Sequence, residues 1–260
     1  MVLTPEQTVL YRRNILLSGI GENGQERLLS SSALLVGAGG LASSAAYYLA
    51  AAGVGRLGLM DDDVVEPSNL QRQILHSAKD VGRAKVESAA EKLRALNPGL
   101  CVEILRERLT PDNAGKVIAG YDVVIDCTDN FASRFIINDT CLELGRTFIY
   151  GGVLAFSGQL FTVVPGRGPC LRCIFPREPD AGAPGCEQLG VLGAVPGVIG
   201  ALQAAEAVKY LLGLGELLIG RLLIFDALTM TFHEVGLQAD PDCPSCGPRR
   251  MGAGALRPSC

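Results

Sequence analysis

Four of the nine cysteines in this 260-residue chain stand in two CxxC pairs, Cys170 with Cys173 and Cys243 with Cys246. Such a knuckle presents two thiolates at the angle a tetrahedral Zn²⁺ takes, and two knuckles close a four-sulfur structural site. The pairs lie much further apart than in a compact zinc ribbon, so spacing alone leaves open whether they meet. A second set of candidates surrounds a glycine turn. In "ALLVGAGGLASS" (33–44) an apolar run enters Gly37, Gly39 and Gly40 and leaves as a helix of small residues. That pattern lets the backbone approach a phosphate and offers the free amides of a helix N-terminus to it. Asp61 follows about twenty residues on, where an acidic side chain accepts hydrogen bonds from ribose hydroxyls.

To this point a dinucleotide and ATP fit equally. Asn69, Arg72 and Lys85, in "SNLQRQ" and "VGRAKVES", favour ATP. Two cations near phosphates neutralise the charge that builds in phosphoryl transfer, and an NAD-dependent oxidoreductase has no use for them. "DVVIDCTDN" adds Asp126, inside the apolar run and read as structural. It also adds Asp129, beyond the run, read as the carboxylate that holds hydrated Mg²⁺ against a triphosphate. The bland alternatives are a solvated helix face for Lys85 and a helix N-cap for Asp129. His76 and His233 lack any catalytic partner pattern and are read as structural; Cys127 reads as a small buried hydrophobe.

These residues must be positioned by an alternation of strands and helices. Strands are expected at 32–38, 56–61, 101–108 and 121–128, with helices at 41–53, 82–97, 111–120 and 131–145 between and after them. This order implies a Rossmann-like, mostly parallel sheet with helices on both faces. Two adjacent strands after Thr147 suggest an antiparallel extension. The Pro- and Gly-rich stretch that follows reads as a long functional loop, helix-free until about Val195, carrying the first CxxC pair. A helix from about Val195 to Leu212 and two more strands complete the sheet. Ahead of it, "EQTVLYRRNILL" reads as one short helix, "GIGENG" as a glycine break and "QERLL" as a second helix.

The composition, 48% hydrophobic and 19% charged, supports one large core. A net charge of −4 argues against a nucleic-acid partner. The polar N-terminus does not have the layout of a secretory signal, which points to a cytoplasmic protein, where paired cysteines favour metal over disulfides. The stretch 189–215 is broken by Pro196, Gln203, Glu206 and Lys209, and so reads as a buried crossover helix with no membrane span.

Taken in combination and order, "GAGGLA", "SNLQRQ", "VGRAKVES", "DCTDN", the CxxC pairs and "GVIGALQAAEAVKYL" resemble the ubiquitin-activating-enzyme-like family, in particular the molybdopterin-synthase and thiazole-synthesis adenylyltransferases. The resemblance covers nearly the whole chain. It implies a single ThiF-type adenylation domain over 1–260: a helical arm at 1–31, a nucleotide-binding half at 32–150, a carrier-binding half with the zinc knuckle at 151–247, and a tail at 248–260. It implies a homodimer that uses MgATP to convert the C-terminal Gly-Gly carboxylate of a small β-grasp sulfur carrier into an acyl-adenylate.

By the resemblance Asp61 binds ribose, Arg72 and Lys85 the triphosphate, Asp129 the metal, and Asn69 is a polar site residue. Arg13, in "LYRRNILL", matches an arginine donated across the dimer interface, with the adjacent Arg12 the other candidate register. The two CxxC pairs are implied to meet on one structural Zn²⁺. Cys186, in "PGCEQLG", matches a cysteine that links covalently to the carrier in the thiazole branch and is dispensable in the molybdopterin branch. Ala42 departs from the family's more common glycine. Some relatives append a rhodanese domain; its absence here implies an external sulfurtransferase. A relative that adenylates a tRNA base carboxylate is disfavoured by the acidic balance.

Overall fold

The structure is a computed structural model that describes residues 2–178 and 189–247. One eight-stranded sheet runs through it in the order β3-β2-β1-β4-β5-β6-β7-β8. Strands β1 (Ser32–Val36), β2 (Arg56–Met60), β3 (Cys101–Leu105), β4 (Val123–Asp126) and β5 (Thr147–Leu154) pair in parallel. The strands β6 (Ser157–Val163), β7 (Arg221–Asp226) and β8 (Thr231–Gly236) extend it antiparallel. The expected parallel sheet with an antiparallel extension is thus observed.

Alternate side chains of the central strands enter two different cores. Ala33 and Leu35 of β1, Leu57 and Leu59 of β2, and Val123 and Ile125 of β4 pack under helices α4 (Gly40–Ala52), α5 (Lys85–Leu96) and α9 (Ala194–Leu212). Leu34, Val36, Met60 and Val124 face the other way, into a core with α6 (Pro111–Ala119), α7 (Phe131–Leu144) and the cysteine knuckles. A strand covered on both faces reads as an unbroken apolar run, which is why "SALLV" and "VVID" are visible in the sequence. The small residues of α4 have a specific use: α9 crosses it so closely that a Cβ on Gly200 would run into the Leu41 carbonyl oxygen. Ala42 is fully buried in the core that α4 and α9 share.

Three expectations are corrected. The N-terminal helix is two, α1 (Pro5–Leu10) and α2 (Arg12–Ile15), broken at Tyr11, whose buried hydroxyl accepts a hydrogen bond from Asn97 Nδ2 at 2.8 Å. The glycine break is largely helical: α3 spans Gly21–Ser30, with Gly24 buried in it. The loop after β6 is not helix-free up to Val195, because the first CxxC pair begins a four-residue helix, α8 (Leu171–Ile174).

Register places the functional edge. Val36 lies beside Met60 on one side and Asp126 on the other, and Met60 beside Leu105, so β1, β2, β3 and β4 end together. The chain leaves β1 towards β2 and β3 and then returns to place β4 on the opposite side of β1. Ligands of open α/β sheets bind at the crevice this reversal leaves at the carboxyl ends of the strands.

Candidate functional site

At that crevice lies a cleft of about 1360 Å³. Gly37, the first residue after β1, has φ +97°, and a Cβ there would stand 2.6 Å from the carbonyl oxygen of Cys127, the first residue after neighbouring β4, so no other residue fits. The chain then enters α4 with Gly39 as N-cap. The first amides of α4 have no helical acceptor, and with the helix dipole they make a seat for an anion. Gly37, Gly39 and Gly40 line the cleft.

Asp61 follows β2. Its Oδ2 accepts from the Ala38 N–H at 2.7 Å and its Oδ1 from the Asp63 N–H at 2.8 Å, which fixes the carboxylate at the edge of the cleft and ties it to the glycine turn. Asn69 closes a short 3-10 turn, Pro67–Asn69, its Oδ1 accepting from the Glu66 N–H at 3.1 Å. Arg72 is anchored by Nη1 to the Ser68 carbonyl at 3.1 Å. Lys85 is not on a solvated face: it begins α5, is 7% exposed, and pairs through Nζ with Asp63 Oδ2 at 2.7 Å. An ammonium has three protons to donate, so this pairing leaves donors for a phosphate. Asn69, Arg72 and Lys85 all line the cleft.

On the opposite wall, β4 delivers "DCTDN". Asp126 is fully buried, as expected of a structural residue; burial pushes its carboxyl up, while Arg134 and Thr128 pull it back. Arg134 lies over the rings of Phe131 and Tyr150 and donates from Nη2 to the Thr128 carbonyl at 2.9 Å, clamping the loop that presents Asp129. Asp129 is exposed into the cleft. It does not cap α7: Asn130 does, its side chain accepting from the Ser133 N–H at 2.9 Å. The carboxylate is therefore available to a hydrated cation, and its oxygen chemistry suits Mg²⁺.

Gln73 was not singled out from the sequence. It is buried beside Gly39 on the cleft wall, with Oε1 unpartnered among the described residues. Only its adjacency to Arg72 in "SNLQRQ" hints at it.

The two CxxC pairs meet. Sγ of Cys170 is 3.9 Å from Cys173 and 3.5 Å from Cys243, and Cys173 is 3.4 Å from Cys246, with all four sulfurs within 4.8 Å of one another. Tetrahedral Zn–S bonds of about 2.3 Å put sulfurs about 3.8 Å apart, so the cluster fits that ion. Burial raises the Cys170 thiol and moves Cys246 up to about 12; at Cys243 burial pulls upward, but hydrogen bonds from the backbone N–H groups of Cys246 and Ser245 and with the neighbouring thiols together lower it. A dication is the charge that would hold all four as thiolates. The knuckles are joined to α7 through Asp139, which accepts from Arg172 Nε and Nη2 and from Ser245 Oγ at 2.6 Å.

Arg13 does not enter this cleft. The arm is docked on the C-terminal end of α4: Asn14 Nδ2 and Gln25 Nε2 both donate to the Ala52 carbonyl, and Asn97 Nδ2 joins Tyr11 to Ala50. The glycine turn is at the other end of α4, and thirteen residues of helix span about 20 Å. Both Arg12 and Arg13 are exposed. Cys186 lies outside the described residues, as does the tail 248–260.

Fold and cleft together define an α/β protein with a glycine-lined cleft at the topological switch point and a separate four-cysteine cluster. The chain belongs to the ThiF family, whose model matches residues 11–245. It is 50% identical over 250 residues to the SAMP-activating enzyme E1 of Haloferax volcanii, covering 95% of this chain and 92% of that one. It is 44% identical to the sulfur carrier protein adenylyltransferase of Thermus thermophilus, covering 94% and 92%. The adenylyltransferase and sulfurtransferase MOCS3 of Bos taurus is 48% identical, with 95% of this chain matching 55% of that one. Among solved structures, E. coli MccB with ATP has a TM-score of 0.78 at 25% identity, covering 92% of this chain and 74% of that chain. No helix among the described residues is long and apolar enough to cross a membrane.

Proposed function

We propose that this chain is an adenylyltransferase that uses MgATP to activate the C-terminal carboxylate of a small ubiquitin-like sulfur carrier ending in Gly-Gly. The observation that carries this reading is the meeting of Gly37, Gly39 and Gly40, Asp61, Asn69, Arg72, Lys85 and Asp129 on one cleft. The relatives named for carrier activation support it. Asp61 accepts from the ribose hydroxyls, and the turn amides, Arg72 and Lys85 take the phosphates. Asp129 would hold Mg²⁺, which when bound neutralises phosphate charge. A carrier carboxylate oxygen attacks the α-phosphorus in line; the bond to the α–β bridging oxygen breaks, and pyrophosphate leaves with that electron pair. The attacking carboxylate is already ionised, so no general base is needed, and rate comes from positioning and charge neutralisation.

The site is completed by a second copy of the chain. Arg13 is at the far end of α4 from its own cleft, on an arm whose Val9, Leu10, Leu16 and Leu17 are exposed. Burying that apolar surface in a homodimer would bring Arg13 to the partner's phosphates. A structural Zn²⁺ held by Cys170, Cys173, Cys243 and Cys246 pins the chain after β8 to α8. Sulfur would be supplied to the activated carrier by a separate sulfurtransferase, in the cytoplasm. The test is exchange of labelled pyrophosphate into ATP with purified Gly-Gly carriers. Exchange that requires the carrier and vanishes when its last glycine is deleted supports the reading; no exchange with any such carrier overturns it.

A further inference from the structure

His76 is 6% exposed and does not line the cleft, yet both of its ring nitrogens are committed. Nε2 is 3.0 Å from the carbonyl oxygen of Ala38, inside the glycine turn, and Nδ1 is 2.9 Å from Ser88 Oγ on α5. A carbonyl only accepts, so Nε2 carries the proton. Ser88 Oγ in turn accepts from Lys92 Nζ at 2.8 Å, which leaves its own proton for Nδ1. Lys92 Nζ is held by Asp80 Oδ2 at 2.6 Å. The relay Asp80, Lys92, Ser88, His76, Ala38 therefore has one direction of donation at its last two links and one imidazole tautomer.

From this arrangement we infer that His76 is a positioning residue of the phosphate-binding turn. Three successive peptides of the turn are fixed: the Gly37 N–H by the Met60 carbonyl at 2.7 Å, the Ala38 N–H by Asp61, and the Ala38 carbonyl by His76. In a trans peptide the carbonyl and the following N–H point in opposite directions. Drawing the Ala38 carbonyl back onto His76 therefore turns the Gly39 N–H away from the core, and Gly39 lies on the cleft wall. No acceptor among the described residues takes that N–H. Without His76 the peptide is free to rotate, and the Gly39 N–H loses its aim into the cleft. Burial lowers the ring's affinity for a second proton, against the hydrogen bond it donates to the Ala38 carbonyl; Lys92 and Lys85 act with burial and Asp80 against it.

The inference rests on ATP being the ligand of the cleft, and the test separates the two. Glutamine places an amide nitrogen where Nε2 stands and asparagine where Nδ1 stands. His76→Gln should therefore bind ATP within about threefold of wild type, and His76→Asn about tenfold more weakly, the equivalent of one hydrogen bond with its carbonyl left unpaired. Their melting temperatures should be alike, because both lose the same ring. Equal ATP affinities in the two variants would overturn the positioning role; a wild type that does not bind ATP would instead overturn the nucleotide reading. Should either variant fail to fold, the wild type suffices. With two histidines in the chain, ¹⁵N imidazole spectra resolve His76, and the Nε2–H tautomer is required; the Nδ1–H tautomer would overturn the inference.

Discussion

Asp129 is exposed at the cleft, and its hydrogen bond among the described residues is a 3.3 Å contact from Asn130 Nδ2, so removing it tests chemistry rather than folding. Asp129→Ala should abolish carrier-dependent pyrophosphate exchange while leaving the melting temperature within a degree or so, about the effect of a surface substitution; near-normal exchange would contradict the assignment. His76 gives a pH dependence whose sign is fixed. Burial lowers its folded-state value below 6.5, so below that pH the unfolded chain binds a proton the folded chain does not, and stability falls as pH falls. Wild type should lose more stability than His76→Gln between about pH 7 and about pH 5.5, glutamine having no proton to gain. Parallel losses would contradict a neutral buried imidazole. That Asp61, Arg72, Lys85 and Asp129 share one cleft was foreshadowed unevenly: Asp61 and Asp129 each follow an apolar strand, whereas Arg72 and Lys85 were singled out only as cations soon after Asp61. His76 was read from the sequence only as structural. Its partners are a backbone carbonyl and a serine on another element, and no residue type in the sequence announces a carbonyl.

Among the elements, the knuckles and the α4–α9 crossing carry the separate expectations. Cys173→Ser or Cys246→Ser should leave the chain with less than one zinc and a lower melting temperature. The loss should be milder than in an isolated zinc finger, because the core under α4, α5 and α9 contains none of the four cysteines. Zinc-free protein purified without chelators would count against the site. Gly200→Ala forces a Cβ into the Leu41 carbonyl and should destabilise by about 1–3 kcal/mol, read from denaturant midpoints; an unchanged midpoint would show that the helices part at no cost. The central strands were readable as unbroken apolar runs because both of their faces are covered, and the long helices because they run for several turns between glycine and turn signals. Four-residue α8 has too few residues to show a helical period, and Tyr11 breaks the arm through a contact with Asn97 that only the folded chain supplies. Asn130 takes the cap from Asp129 because both residue types cap well, and one position of register decides between them.

For the whole molecule, the length of α4 sets the expectation that a site needs two chains. Arg13→Ala and Asp129→Ala should each be inactive alone. Mixed under conditions of subunit exchange, they should recover about a quarter of wild-type activity, since about half the dimers are mixed and each has one site with both residues. No recovery despite demonstrated exchange would place Arg13 in its own subunit's site, and an active Arg13→Ala would shift the role to Arg12. The central claim is adenylation of a carboxylate in the cleft. The most direct test is to incubate the protein with MgATP and a Gly-Gly carrier and identify what leaves. Attack at the α-phosphorus predicts pyrophosphate and a carrier heavier by one adenylyl group. Release of ADP, or a carrier of unchanged mass with ATP intact, would contradict it.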